Sequence, residues 1–229
     1  MINHVRNTVL TALNKENRGY LTPEQFNLYA KHAQQLIFDQ YFSEYAKLTA
    51  LKNARRLSAE YGDRLKALRS NIETFVVESD IAQTSGYYVK PSDMYQPVSL
   101  RYGSKELDMV PKNKEMYLYS SNLTAPTANF PVYVDKNNYY YIKPDTLTDD
   151  MTLVYVRNVA DPKWTYNMVA DNPIFNPSAG DYKDFEIAPE DEPNLVLEIL
   201  KLAGLTIREP EITQAAIGLD TAEFQKENS

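Results

Sequence analysis

Apolar residues spaced by three and four open the chain. Ile2, Val5, Val9 and Leu13 fall on one side of a short amphipathic helix over residues 2–14. Between Glu24 and Tyr61 neither glycine nor proline occurs. Phe26, Ala30, Ala33, Ile37, Tyr41, Tyr45 and Leu48 make one helical stripe through that stretch. The seam continues through Leu51, Ala54, Ser58, Tyr61, Leu65, Leu68 and Ile72, a narrow edge suited to packing against another helix. Gly62 is the expected break between two helices.

From about residue 74 the period shortens to two. "ETFVVESDI", "GYYVKPSD", "QPVSLRYG" and "KELDMV" are short runs bounded by Pro, Gly, Ser and Asp, as strands are. "NKEMYLYSSN" fits a strand or a short helix equally. "FPVYVDKNNYYYIKPD" predicts a hairpin: Pro131–Val134, a turn at Asp135–Asn138, then Tyr139–Lys143. "MTLVYVRNV" follows as a third strand. Residues 171–188 read as loop, with Pro173, Pro177 and Gly180. Glu190, Asp191 and Glu192 gather where a helix dipole favours anions, and Pro193 fits only a first turn. Leu195, Ile199 and Leu202 form the stripe of that helix, with Gly204 as its C-terminal cap. "EPEITQAAIG" predicts one more short helix.

The expected fold is α+β, with an N-terminal long-helix bundle, a central small antiparallel β-sheet domain and C-terminal helices. The boundaries are 1–73 for the helical region, 74–170 for the β-rich domain, 171–217 for the loop and C-terminal helices, and 218–229 for a mobile tail.

The segment "LNKENRGYLTPEQF" resembles half of a calcium loop, but its side chains do not suit calcium. Asn14 is neutral, Arg18 brings a cation to a cation site, and Gln25 offers a single amide oxygen. It reads instead as a helix–turn–helix corner at 14–22. Thr22 caps the second helix, Pro23 takes the first helical position, Gln25 closes a capping box, and Gly19 supplies the turn.

Composition narrows the chemistry. The 229 residues include no cysteine and only two histidines, His4 and His32, both in helical sequence, so neither thiolate nor clustered-imidazole metal sites are expected. No run of about 18 apolar residues and no signal-like apolar centre occurs, so membrane insertion and cleaved secretion are not expected. There is no phosphate loop, dinucleotide fingerprint, nucleophile elbow or paired-histidine zinc motif. Adjacent carboxylates such as Asp149–Asp150 are plentiful, and nothing selects one pair for glycoside hydrolysis. Neither catalysis nor a cofactor is expected.

Charge is divided along the chain. Residues 1–72 carry a net +5 and residues 73–229 a net −12. Such a basic end and acidic end can associate head to tail. Tyrosine, at 18 residues, supplies rigid amphipathic area for interfaces and equally for strands. Lys47, Lys52, Arg55, Arg56, Arg64, Lys66 and Arg69 form a basic run, interrupted by Glu60 and Asp63. It reads as a solvated face or a site for an acidic partner, with a phosphate-neutralising face as the alternative.

Two stretches carry a resemblance. "LNKENRGYLTPEQFNLYAKHAQQLIFDQYF" (13–42) is similar to the start of a head-to-tail connector family, the adaptor or ring proteins of crAss-like tailed bacteriophages. "DPKWTYNMVADNPIFNPSAGDYKDFEIAPEDEPNLVLEILKLAGLTIREPEITQA" (161–215) resembles that family's C-terminal half, and the hairpin "FPVYV…YYYIKPD" fits between the two. The resemblance implies a virion component, assembled in the host bacterial cytoplasm. It would form a dodecameric ring below the portal, beside other ring and tail proteins, with genomic DNA passing through the lumen. No catalytic residue comes with the family.

On that reading Phe26, Tyr29, Phe38, Tyr41 and Phe42 are expected to pack in the helical region, partly across subunits, or equally, with Trp164, as core within one chain, with Arg55 and Arg56 on the basic face. Trp164, the sole tryptophan, lies between Pro162 and Tyr166 and is expected to anchor the sheet to the "DFE" loop. Two rivals differ in class: a nucleic-acid-binding module using the basic helix 47–69, and a tail-associated enzyme or binding protein with a concave site in residues 75–175.

Overall fold

A computed structural model of the chain describes residues 1–14, 21–54, 59–123 and 125–207, with 14, 59–61 and 205–207 as backbone only. It is α+β, as the sequence predicts. Four helices are described, α1 (Ile2–Asn14), α2 (Pro23–Asn53), α3 (Ala59–Glu73) and α4 (Glu192–Ile207). The strands are β1 (Val76–Ile81), β2 (Gln83–Thr84), β3 (Tyr87–Val89), β4 (Met94–Tyr102), β5 (Lys105–Glu106), β6 (Asp108–Val110), β7 (Val132–Lys136), β8 (Tyr139–Lys143), β9 (Met151–Arg157), β10 (Tyr166–Val169) and β11 (Asn172–Phe175). Two compact units result. One combines Met1–Asn71 with the chain from Val159 on; the other is Ile72–Asn158. The β-rich unit therefore ends at Asn158 rather than at residue 170, because β10 and β11 group with the helices.

In the helical unit, Ile2, Val5, Val9 and Leu13 are all fully buried, as the three–four spacing requires. Thr22 and Gln25 close the capping box of α2 in both directions, with bonds of 3.2 and 3.0 Å, and Pro23 stands at its start. The Gly19 corner itself lies outside the described residues, as do the helix expected at 209–218 and the tail. Phe26, Ala30, Ala33, Ile37, Tyr41 and Leu48 form the buried stripe of α2. The break in the long helical run comes before Gly62, which lies inside α3. Glycine costs a helix only about 1 kcal/mol, too little to set a boundary alone.

α4 packs on α1 and α2 through Leu195, Ile199 and Ala203, all fully buried. Ala203 takes the place expected for Leu202, which is only half-buried. Gly204 is no cap: the helix runs through it to Ile207. The residue is buried within the helix rather than at its end. The acidic start is as expected, with Glu192 in the first turn and Asp191 just ahead of it accepting the Tyr41 hydroxyl.

The β-rich unit holds two sheets, ordered β1-β9-β4-β5 and β2-β3-β8-β7-β6. They share one core of Ile81, Tyr88, Leu100, Tyr140, Met151 and Leu153 among others. The expected β7–β8 hairpin forms, with Val132 opposite Lys143 and Lys136 opposite Tyr139. Its turn is tighter than expected, two residues, with Asn137 at φ 54°. β9 does not continue that sheet; it crosses to the centre of the other one, between β1 and β4. Its side chains are buried on both faces, as those of a central strand are. One pair, β6–β7, is parallel, contrary to an all-antiparallel sheet. A parallel pair needs a crossover, and residues 111–131 supply it, including a 3-10 helix at Lys112–Tyr117.

Candidate interaction surfaces

Trp164 is 1% exposed in the helical unit. Its peptide group is clamped by one side chain: the Trp164 amide donates to Asn27 Oδ1 at 2.8 Å, and Asn27 Nδ2 donates to the Trp164 carbonyl at 3.1 Å. The indole Nε1 donates to Asn3 Oδ1 at 3.0 Å. The Arg6 guanidinium lies 3.8 Å above the ring, a cation–π contact in a desolvated position. α1 and α2 thus converge on one residue.

Gln34, 1% exposed, makes a second clamp. Its Nε2 donates to the Ala160 carbonyl at 2.8 Å, while its Oε1 accepts the Glu186 amide at 3.0 Å. Glu186 closes the loop by accepting the Ala160 amide at 2.9 Å. Asp184 accepts from the Met1 ammonium at 2.9 Å and from the Ile2 amide at 2.7 Å. Burial pushes the Asp184 carboxyl up, but the bonds from the ammonium and from the Ile2 and Phe185 amides outweigh it and hold the group below its ordinary value.

From this base projects a two-stranded ribbon, β10–β11, which forms a sheet of its own. Tyr166 and Phe175 face each other at its foot and both stack on Trp164, with centroids at 5.5 and 5.9 Å. The Tyr166 hydroxyl donates to Glu24 at 2.6 Å and lowers that carboxyl. Thr165 donates to the Asn176 carbonyl at 2.5 Å, closing the base. Beyond the foot the register continues Asn167–Ile174, Met168–Pro173 and Val169–Asn172. Ala170 and Asp171 turn the chain at φ 48° and 61°, the left-handed pair that a two-residue hairpin needs. Met168, Val169 and Ile174 are 60%, 53% and 51% exposed. A two-stranded ribbon is marginal alone, so its order comes from the aromatic foot. The arrangement is an arm: rigid at one end, apolar and solvent-facing at the other.

A second apolar surface lies in the β-rich unit. Glu115 of the 3-10 helix pairs with Lys136 of β7 at 2.7 Å. Met116, Tyr117 and Tyr119, on and just after that helix, stay largely exposed.

Phe26, Tyr29, Phe38 and Tyr41 are buried within the chain. Phe42 is half-buried against Phe38, ring centroids 5.0 Å apart. These positions follow the core-facing stripe of α2, and an aromatic on that stripe fills core. Arg55 and Arg56 lie outside the described residues. Of the basic run, Arg64 pairs with Glu44, and Lys66 lies 3.4 Å from Asp63, so its charge is partly matched locally. Trp164 is a packing centre as expected, but it joins α1 and α2 to the β10–β11 arm. Its link to the "DFE" loop runs through the neighbouring Lys163–Lys183 bridge. His4 meets Glu192, and His32 is exposed on α2. Among the described residues no group of His, Asp and Glu could hold a metal, and no helix is long and apolar enough to cross a membrane.

Sequence reasoning missed the arm, taking 171–188 as loop. The signal was present in "YNMVADNPIF": two four-residue runs around Ala-Asp, with Asp tolerant of positive φ. Pro173 argued against a strand, yet proline is accepted on edges, and a two-stranded ribbon has only edges.

No protein-family model matches the chain, and no curated protein matches it.

Proposed function

We propose that the chain is a non-enzymatic structural subunit of a phage virion, a head–tail connector that forms a ring below the portal around the DNA channel. The observation that carries this reading is the β10–β11 arm, held by Trp164 and presenting Met168, Val169 and Ile174 to solvent. Apolar side chains on a rigid projection are suited to burial against another chain. A repeated heterologous contact closes into a ring when the rotation between copies permits. The resemblance in residues 13–42 and 161–215 supports the same reading, and the second stretch contains the arm. The partners are further copies of the chain, in a dodecameric ring, with the portal above and other ring or tail proteins below. Genomic DNA passes through the lumen.

Native mass spectrometry with negative-stain imaging of the same sample tests this. Closed rings of one copy number support the connector. A protein that stays monomeric alone and when mixed with the portal of its own virion sinks it.

A further inference from the structure

The arm and the 3-10 helix differ in charge as well as sharing apolar exposure. Asp171 stands at the arm's tip, exposed, amid Met168, Val169 and Ile174. No cation among the described residues pairs with it. On the β-rich unit, Lys112 and Lys114 are exposed beside Met116, Tyr117 and Tyr119. Neither lysine forms an ion pair among the described residues, whereas Lys90, Lys136 and Lys143 of the same unit each have a carboxylate at 2.6–2.8 Å. One surface is therefore apolar with a free anion, the other apolar with two free cations.

We infer that the β10–β11 arm of one copy docks on the Lys112–Tyr119 surface of a second copy, with Asp171 set against Lys112 and Lys114. The inference rests on the self-assembly reading above and names the contact that makes it. The occupant is a second copy because the two surfaces match in apolar character and oppose in charge, and every copy carries both. A contact between different patches is heterologous, the kind that propagates around a ring rather than stopping at a dimer. Val169 and Ile174, which share one face of the ribbon, supply the apolar area against Met116, Tyr117 and Tyr119. The charges set register and approach. Met116 suits this, since its unbranched chain adapts to an imperfect fit.

The experiment is a charge swap on the full chain, read by sedimentation velocity over a concentration series at low and high salt. Asp171→Lys alone, and Lys112→Glu with Lys114→Glu alone, are each expected to weaken association by about tenfold at low salt. The triple variant should return to within about twofold of the starting protein. Asp171→Asn, which tolerates positive φ as aspartate does, should weaken association by about threefold and so separates charge from turn geometry. Oligomers that persist unchanged in both reversed variants overturn the contact and leave the ring reading standing. So does a triple variant that fails to recover. A starting protein that is monomeric across the series, with or without the portal, overturns both.

Discussion

The two ends of the β10–β11 arm are built from the same few residues of chain and behave as opposites. At the foot, Tyr166 and Phe175 stack on a buried indole whose amide, carbonyl and ring nitrogen all have partners in α1 or α2. At the tip, Met168, Val169 and Ile174 face solvent around a turn of two left-handed residues. Side chains at the foot are held by groups already in the chain. Those at the tip gain only when another surface arrives. Aromatic character therefore marks the fold here, and aliphatic character left exposed on a strand edge marks the surface proposed to interact.

Breaking the foot should have the largest effect. Trp164→Ala removes the stack, the Asn3 bond and the ring beneath Arg6, leaving a buried cation facing a cavity. A loss of about 3–5 kcal/mol is expected for a buried tryptophan alone. This is a large share of a domain's usual margin, so the variant should lose soluble folding. Circular dichroism in urea is the readout, since the substitution removes the only tryptophan fluorophore. A variant with starting solubility and an unchanged urea midpoint would disprove the central place given to Trp164.

The Gln34 clamp comes next. Gln34→Ala strands the Ala160 carbonyl and the Glu186 amide, for an expected loss of about 2–3 kcal/mol. Gln34→Glu keeps the acceptor for Glu186 but replaces the donor to Ala160 with a second oxygen, and it should cost at least as much. A midpoint within error of the starting protein in both variants would show that water or a shifted backbone replaces the side chain.

These residues show what the sequence made legible. The stripes of α1 and α2 were readable because each repeats the three–four spacing over several turns, and the Thr22–Gln25 box because its chemistry is local. The arm was not, since four residues a side are too few for period two to stand out, and Pro173 argued against it. The middle position of β9, the parallel β6–β7 pair and the passage of α4 through Gly204 depend on partners distant in sequence. Burial of Phe26 and Tyr41 was readable from spacing. That the burial happens within one chain was not, because a stripe does not say which chain covers it.

Asp184 offers a gentler test of the foot. Its folded carboxyl lies below its ordinary value, so its contribution is fully present above the unfolded value, about 3.9, and is lost as pH falls through the depressed one. Asp184→Asn should therefore be less stable than the starting protein at neutral pH, and the gap should close as pH falls below the ordinary aspartate value. The effect should be smaller than that of Gln34, because the Asp184 side chain is 37% exposed and solvent screens its ion pair. Urea midpoints of the two proteins across that range give the result. A gap that stays constant with pH would mean that the ammonium and amide contacts do not depend on the carboxylate charge.

The tip should show the smallest effect on folding and a clear one on assembly. Val169→Thr with Ile174→Thr polarises two side chains of one ribbon face that are each more than half exposed, so stability should move by no more than about 0.5 kcal/mol. If the arm docks on a second copy, association should weaken all the same, since the contact would bury these residues. Urea midpoint and sedimentation of one preparation give both numbers. If stability falls along with association, the tip belongs to the fold as the foot does, and the contrast between the two ends fails. If stability holds and association falls, the same short ribbon is core at its Tyr166–Phe175 foot and interface at Val169 and Ile174.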